Sequence, residues 1–310
     1  MKPFLVIATI SIFSFLFAGY TYFILTLPER SLPLISTVSS LNITGDEDHR
    51  LVFIGDVHGM YDEFLELVDK LEIENSTTLV LLGDFVSKGP DSVQMVDYIL
   101  EHKNQTQCVL GNHELSVLFA LLNPKGIRKF NHMRKEGKKQ LISSRWNPIE
   151  FVTEDYIPHY NKINSNHREL AKEIGWDKLS GIAEHCCAVL KVPLHDQTLI
   201  GVHAGLIPGD LETPHLKDIT TMKFVDSKDH TKTSKTKFKK SIAWYRLWKS
   251  QAGSTVLYGH DAKTGLNIRK HTKGLDSACV AGGKLSALEY TYHNGAYSTK
   301  LHQVDCRKHI

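Results

Sequence analysis

Six side chains that can bind metal ions stand just after short apolar runs of the sequence. They are Asp56, His58, Asp84, Asn112, His203 and His260, and four of the six directly follow a glycine. Carboxylate and amide oxygens and imidazole nitrogens suit Zn²⁺, Mn²⁺, Fe and Co²⁺ alike. Two divalent cations about 3.5–4 Å apart need one carboxylate that can bridge both and N or O ligands to complete each shell. The set therefore predicts a two-metal centre.

Asp84 is the natural bridge of such a centre. The other ligands divide into Asp56 and His58 for the first cation and Asn112, His203 and His260 for the second. Any one of these histidines alone is better interpreted as a core residue, but core packing does not explain the ordered set. Two such cations lower the pKa of a bridging water, so that hydroxide forms near neutral pH and attacks a phosphoryl group in line.

A parallel sheet is needed to bring these residues together. Residues 60–73 have the apolar spacing of an amphipathic helix, and Asp91 begins a second one. These helices alternate with predicted strands, which gives βαβ units whose carboxyl ends share the edge where open α/β sheets bind ligands. The alternating tail, at 277–292 and 297–304, predicts antiparallel strands of a second sheet. The other predicted strands are 51–54, 79–82, 107–110, 198–202 and 254–258.

The N-terminal segment is long and apolar. Residues 4–27 include no charge, and at about 1.5 Å per residue such a helix crosses a hydrocarbon core of about 30 Å. We predict an uncleaved signal anchor over 1–27, a linker over 28–50 and one catalytic domain over 51–310, with a cleaved signal peptide as the alternative. Lys2 favours a cytosolic N-terminus, so the catalytic domain of this single-pass type II membrane protein would be lumenal.

N-glycosylation sequons and cysteines bear on the same compartment. The sequons support a lumenal domain, although such tripeptides also arise by chance, and they begin at Asn42, Asn75 and Asn104. The five cysteines are irregularly spaced, which predicts neither a disulfide framework nor a CxxC zinc motif. We interpret Cys108 and Cys279 as small core residues because they lie inside apolar runs. A bridge from Cys186 or Cys187 stays open in an oxidising lumen.

Charge is unevenly distributed along the chain. The formal net charge of +3 does not by itself indicate a protein that binds polyanions. One basic run, at 125–139, is either a solvated helical face or an electrostatic funnel for a polyanionic substrate. A second run, at 223–240, is rich in Ser, Thr and Lys and predicts a mobile loop.

The glycine-rich motifs resemble those of a known family. In chain order they are GDVHG at 55–59, GDFVSKG at 83–89, GNHE at 111–114, HAG at 203–205 and GH at 259–260. In order and spacing they resemble the five motifs of the PPP-type metallophosphatases, and the resemblance covers roughly 50–305. Within that family, the runs at 258–262 and 274–285 are similar to the ApaH-like branch and not to the Ser/Thr protein phosphatases.

The resemblance implies an α/β fold, the four-layer α/β-β/α sandwich in which two mixed sheets are flanked by helices. It implies the six metal ligands given above, His113 as the general acid, and two divalent ions, with Zn²⁺ favoured over Mn²⁺, Co²⁺, Fe or Mg²⁺. On chemical grounds we place Lys88 and Arg246 on non-bridging phosphate oxygens, Arg246 through a bidentate fork and Lys88 as a point charge. Together with the anchor, the resemblance implies a vacuolar location.

One departure from the family pattern bears on the substrate. Where the protein phosphatases commonly have an Asp that pairs with the catalytic histidine, this chain has Ser87. Serine cannot stabilise an imidazolium as a carboxylate can, and a phosphate leaving group, with a second pKa of about 6, needs less help from an acid than an alkoxide does. We therefore expect a phosphoanhydride hydrolase. The resemblance, together with the anchor, the sequons and the basic runs, implies that it acts on inorganic polyphosphate as an endopolyphosphatase.

Other functions stay open at this point. Diadenosine polyphosphates or nucleotide caps are the alternative substrates, and Trp244, Tyr245 and Trp248 could stack on their bases. A Ser/Thr protein phosphatase and a non-catalytic metal-binding protein are less favoured, since a metal scaffold has no need of an acid such as His113. We expect no nucleic acid partner.

Overall fold

The computed structural model describes residues 2–26, 35–43, 48–121, 145–146, 165–209, 214–249, 253–293 and 295–310. The helices are α1 (Lys2–Thr26), α2 (Tyr61–Leu71), α3 (Ser92–Glu101), α4 (Asn112–Ala120), α5 (Ser165–Ile174), α6 (Trp176–His185) and α7 (Leu216–Thr221). The strands are β1 (Ile35–Ser40), β2 (His49–Ile54), β3 (Thr77–Leu81), β4 (Thr106–Cys108), β5 (Arg145–Trp146), β6 (Cys187–Pro193), β7 (Thr198–Val202), β8 (Phe224–Asp226), β9 (Thr233–Ser234), β10 (Ser241–Ala243), β11 (Ser254–Tyr258), β12 (Asn267–Ile268), β13 (Thr272–Gly274), β14 (Lys284–His293) and β15 (Ala296–Asp305).

One mixed sheet has the strand order β15-β14-β2-β3-β4. Its strands β2, β3 and β4 are parallel and are connected by α2 and α3, which confirms the predicted βαβ units. The tail strands β14 and β15 are antiparallel, as predicted, but β14 pairs with β2 and therefore belongs to this sheet. The prediction of a separate second sheet for the tail is wrong, because alternation indicates a half-buried strand without indicating its partner.

A second mixed sheet has the order β12-β13-β11-β7-β6-β1-β5. It contains β1, which lies inside the predicted linker 28–50 and runs parallel to β6, with Val38 opposite Val189. This part of the predicted linker is therefore a strand. Its sequence, ISTVSS, has too few apolar residues to indicate a strand, and the backbone hydrogen bonds with β6 hold it in place.

The basic run at 223–240 contains ordered strands where we predicted a mobile loop. Strands β8, β9 and β10 form a small antiparallel sheet in which β8 lies in the middle. Ladder hydrogen bonds between these short strands are not visible as an apolar pattern, which explains the error. The other basic run, at 125–139, lies outside the described residues.

The two large sheets pack face to face. On β2, Leu51 and Phe53 contribute to the apolar cluster between the sheets, whereas Val52 and Ile54 contribute to the cluster under the helices. Helix α2 contacts β14 and β15 on one outer side, and α6 and α7 contact β1 and β6 on the other. The observed fold is thus an α/β arrangement of two mixed sheets with helices outside, as the motifs predicted.

Two disulfide bonds correct our interpretation of the cysteines. Cys108 is bonded to Cys186, and Cys279 is bonded to Cys306. Cys108 and Cys279 are indeed buried, but as bridged residues and not as free core thiols. The two partner cysteines, at the end of α6 and in the tail, are 78 and 27 residues away in sequence. The spacing of the cysteines alone does not reveal which of them are close in space. Cys187 is a free, buried thiol.

Helix α1 occupies the segment for which we predicted a signal anchor. Among the residues that the structure describes, no helical segment combines the length and hydrophobicity that crossing a bilayer requires. The predicted membrane anchor is therefore not supported.

Candidate metal centre

The predicted ligands lie together at the carboxyl ends of strands from both sheets. Strands β2, β3 and β4 lead to Asp56, Asp84 and Asn112, and strands β7 and β11 of the other sheet lead to His203 and His260. Asp56, Asp84 and His203 are almost fully buried, whereas His260 and Asn112 are half-buried. The site therefore lies in a cleft where the carboxyl ends of strands from both sheets meet.

Asp84 lies at the centre of this cluster. Its Oδ2 is 3.4 Å from Nε2 of His203 and 3.8 Å from Nε2 of His58. Two groups of side chains place all their ligand atoms within 4.8 Å of one another, and Asp84 belongs to both: His58, Asp84 and His113 form one, and Asp84, His203 and His260 the other. A carboxylate shared between two ligand groups is what a bridge between two cations requires.

The other predicted ligands adjoin these groups. Oδ2 of Asp56 is 3.7 Å from Nε2 of His58, and Oδ1 of Asn112 is 3.3 Å from Nε2 of His203. Lys88, predicted to bind phosphate, lies beside the first group, with Nζ 2.7 Å from Nε2 of His58. The structure thus brings all six predicted ligands and Lys88 into one cluster.

Backbone groups orient the ligands. Nδ1 of His203 lies 2.9 Å from the Leu82 carbonyl, which accepts its hydrogen and leaves Nε2 free to bind a metal. The backbone N–H of His113 donates to Oδ1 of Asp84, and that of His260 donates to Oδ1 of Asp56, both at 2.9 Å. Each buried carboxylate therefore has one oxygen fixed by the backbone and the other turned towards the histidines.

Two glycines of the motifs are explained by these carboxylates. A Cβ on Gly111 would lie 2.2 Å from Oδ1 of Asp84, and a Cβ on Gly259 would lie 2.0 Å from Oδ1 of Asp56. Any side chain at either position would push a carboxylate out of the cluster. The recurring glycine before a ligand is therefore a requirement for close approach of the backbone.

Backbone strain is concentrated in the same loops. Asp84, His58 and His260 have φ angles of 49°, 51° and 67°, and Ser87 and Lys88 have 74° and 72°. This left-handed region is rare for residues with a side chain, and such strain persists where surrounding contacts over-determine the conformation. Five of the eight such residues in the described chain belong to the predicted site motifs.

The electrostatics of the cluster fit divalent cations. Burial lowers the pKa of His58 to about 3, so its imidazole is in the neutral form that binds metals. Burial also acts to lower the pKa of His203, but the carboxylates of Asp84 and Asp56 outweigh it and raise that pKa to about 10. These carboxylates thus attract positive charge into the cluster, and with the neighbouring imidazoles they are a donor set that two divalent ions, zinc among them, would satisfy.

Glu114 is a site residue to which we assigned no role from the sequence. Its buried carboxylate accepts hydrogen bonds from the backbone N–H groups of Asp84 and Gly111, both at 2.8 Å, and of Val86, at 3.0 Å. It therefore fixes the loop after β3 against the start of α4. The GNHE motif contained this signal, since a carboxylate three residues after a helix N-cap commonly accepts backbone donors.

His167 was also missed, and it contacts the predicted general acid. Nε2 of His113 faces the cluster, 3.9 Å from Oδ2 of Asp84, while its Nδ1 lies 3.0 Å from Nε2 of His167 on α5. Burial lowers the pKa of His113 to about 4. The neighbour of Nδ1 is therefore another imidazole. Ser87 itself is buried, and its backbone N–H donates to Oγ of Ser92. No feature of the sequence around His167 indicates this contact.

Arg246, the second predicted phosphate ligand, lines a cavity whose described lining includes none of the predicted metal ligands. It lies exposed on a 3₁₀ helix (Trp244–Leu247), and Trp248 lines the same cavity.

Comparison with known proteins agrees with this geometry. Residues 49–295 match the family model described as calcineurin-like phosphoesterase. The chain is 41% identical, over 90% of its length and 88% of the relative's, to a zinc-dependent endopolyphosphatase of Saccharomyces cerevisiae. It is 24% identical, over 83% of its length and 97% of the relative's, to a symmetrical bis(5'-nucleosyl)-tetraphosphatase of Delftia acidovorans.

A solved structure shares the fold. The crystal structure of a protein assigned as a diadenosine tetraphosphatase superposes with a TM-score of 0.61 at 23% identity, covering 88% of this chain and 99% of that one. The match to the family model covers most of the chain, including every strand that leads to the cluster. The chain belongs to the calcineurin-like phosphoesterase family.

Proposed function

We propose that the protein is a metal-dependent phosphoanhydride hydrolase that cleaves inorganic polyphosphate internally. We infer the substrate from the 41% identity, over 90% of the chain, to a zinc-dependent endopolyphosphatase. The cluster around Asp84 supports the reaction class, because shared-carboxylate centres with histidine ligands are suited to in-line displacement at phosphorus.

In this proposal some residues of the site bind the metal ions or the phosphate, and one residue transfers a proton. Two bound divalent cations would activate a water and neutralise phosphoryl oxygens. Asp56, His58, Asp84, Asn112, His203 and His260 hold those ions in this proposal. Lys88, exposed at the cleft beside His58, contributes a positive charge for a non-bridging oxygen. His113 presents Nε2 to the cleft, 3.9 Å from Oδ2 of Asp84. Because burial favours its neutral form, His113 must first gain a proton, which the Asp84 carboxylate favours, before it delivers one to the leaving oxygen.

An assay of substrate class tests the proposal. Because the partner of His113 Nδ1 is the imidazole side chain of His167 and not a carboxylate, we expect good turnover where the leaving group is a phosphate and poor turnover where it is a serine or threonine alkoxide. Polyphosphate, diadenosine tetraphosphate and a phosphoserine peptide would be compared with Zn²⁺, Mn²⁺, Co²⁺ and Mg²⁺ in turn. Comparable rates on the phosphopeptide and on polyphosphate would contradict the proposal.

Hydrolysis of dinucleoside polyphosphates is the second candidate. The similarity to the Delftia tetraphosphatase favours it. The aromatic residues add no support, because Trp244 and Trp248 are buried. The Tyr245 ring already packs against Tyr258 and lies under the Arg269 guanidinium. If only the dinucleotide is cleaved in the comparison above, this candidate replaces polyphosphate.

His167 should act as a positioning residue for His113. We expect His167→Ala to lower kcat on polyphosphate about 10–100-fold while KM and metal content stay close to wild type, because the His113 ring loses the partner of its Nδ1. His167→Gln, which can still hydrogen-bond to Nδ1, should recover most of the loss. His185→Ala is the matched control, since it also removes an imidazole from a helix, in this case a half-buried one that lies 2.9 Å from the Thr106 carbonyl. An equal loss in the Ala and Gln variants would show that the role of His167 is only structural.

For location, we propose an oxidising compartment, with the vacuolar lumen as the specific expectation. Two disulfides in a chain of this size are typical of secreted and lumenal proteins. Asn75 and Asn104 of the sequons are exposed, on turns that precede β3 and β4, and could both carry glycans. Attachment through the apolar N-terminal segment is part of this proposal and would be tested by carbonate extraction of membranes.

A further inference from the structure

A cavity of about 830 Å³ lies outside the metal cluster and includes none of its ligands. Four cationic side chains line it, and they are Arg246, Lys249, Arg269 and Lys270. The remaining described lining residues are aromatic, apolar or polar, including Tyr245, Trp248 and Asn267, and no carboxylate is among them. The volume is within the range of about 300–1,000 Å³ in which proteins bind ligands.

The four cationic side chains of this cavity are all exposed. They make no ion pair with any acid of the described residues, since none of the four has a carboxylate oxygen of those residues within 4.0 Å. The Arg269 guanidinium is held instead over the Tyr245 ring, 5.1 Å from its centroid. A cation–π contact of this kind orients the guanidinium while leaving its N–H groups free for a ligand.

The cavity adjoins the strand that leads to a metal ligand. Nδ2 of Asn267 donates to the Tyr258 hydroxyl at 2.8 Å, and the ring of Tyr245 stacks against the ring of Tyr258, with centroids 6.4 Å apart. Tyr258 ends β11 and stands two residues before His260. The lining of the cavity is therefore in direct contact with the end of β11, the strand that delivers His260.

We propose that this cavity, bounded by Arg246, Lys249, Arg269 and Lys270, binds phosphate units of a polyphosphate chain that lie away from the bond being cleaved. The inference rests on the proposed function. A linear polyanion presents the same charged group at every repeat, so one part of it can lie at the metal cluster while another neutralises these four cations. Guanidinium groups bind phosphate oxygens bidentately and lysines bind them as point charges, which requires no base or sugar. The cavity would thereby favour long chains over short ones.

The double variant Arg269→Ala/Lys270→Ala tests the inference. We expect its KM for long-chain polyphosphate to rise about tenfold, because each lost exposed charge contact weakens binding a few-fold. KM for tripolyphosphate should change much less, since few phosphates remain once the metal cluster is engaged. The dependence of KM on salt should also become shallower, as expected when fewer cations contact a polyanion. Lys103→Ala/Lys300→Ala removes two exposed lysines outside the cavity and is the matched control.

The outcomes separate this inference from the proposed function. If wild-type protein cleaves polyphosphate but the double variant has unchanged KM for long chains, the cavity is not a subsite and the proposed function stands. If wild-type protein does not cleave polyphosphate at all, the proposed function fails and the inference fails with it. An equal rise of KM for tripolyphosphate and for long chains would also overturn the inference, because it would place the two cations at the metal cluster.

Discussion

Asp84→Asn is expected to reduce bound metal from two ions to at most one and to lower turnover by about 10³-fold or more. Asp84 is the only side chain in both ligand groups of the described residues, and an amide supplies neither the negative charge nor the second donor oxygen of a bridge. A metal pair supplies several kcal/mol of charge stabilisation in the transition state, and about 1.4 kcal/mol corresponds to tenfold in rate. Metal content by mass spectrometry and polyphosphate turnover measure the two effects.

The same variant should keep its fold, which makes the result interpretable. Asparagine is nearly isosteric with aspartate, but it removes the negative charge that His203, His113 and His58 stabilise, so we expect Tm without metal to fall below that of wild type. Added Zn²⁺ should raise Tm of wild type but have a smaller effect on the variant, since a ligand stabilises only the form that binds it. Asp69→Asn, the same change at an exposed site on α2, is the control. Two retained ions in the Asp84 variant would exclude Asp84 as the bridge.

His113→Asn has the second large expected effect. If His113 is the general acid, turnover should fall about 10²–10⁴-fold while both metal ions are retained. The loss should be small for p-nitrophenyl phosphate, because that leaving group departs without a proton. His195→Asn, an exposed histidine after β6, is the matched control.

The structure also allows a second role for His113, that of a metal ligand. Nε2 of His113 lies close enough to His58 and Asp84 to be counted in the first ligand group. Loss of one ion in His113→Asn, together with an equal loss on both substrates, would make His113 a ligand and exclude it as the acid.

The cluster was predictable because its signals are local. Gly111 and Gly259 each precede a predicted ligand in sequence, and in space they lie against Asp84 and Asp56. A single short motif therefore indicates both where a strand ends and where the backbone closely approaches a carboxylate. Parallel strands then bring such motifs to one edge without any knowledge of the loops between them. The family and the mixed-sheet architecture were therefore accessible from the sequence.

What could not be predicted depends on contacts between distant segments. His167 is 54 residues from His113, on a helix whose composition would suit any solvated surface. Strand β1 is recognisable only through its hydrogen bonds to β6, and the partner of β14 is set by the core between the sheets. The cation-lined cavity brings the 3₁₀ helix at 244–247 next to residues around β12, and neither segment is unusually basic when read alone.

The disulfide between Cys108 and Cys186 has a free thiol as its immediate neighbour in the chain, Cys187. Exchange of the bridge to Cys187 would require attack by a thiolate on a disulfide sulfur. Burial raises the pKa of the Cys187 thiol to about 12, so at neutral pH the thiolate that would act as the nucleophile is scarce. The bridge joins the strand that leads to Asn112 with the chain that enters the opposite sheet. The native pairing is thus protected kinetically: the competing sulfur is present, but it is almost never in its reactive form.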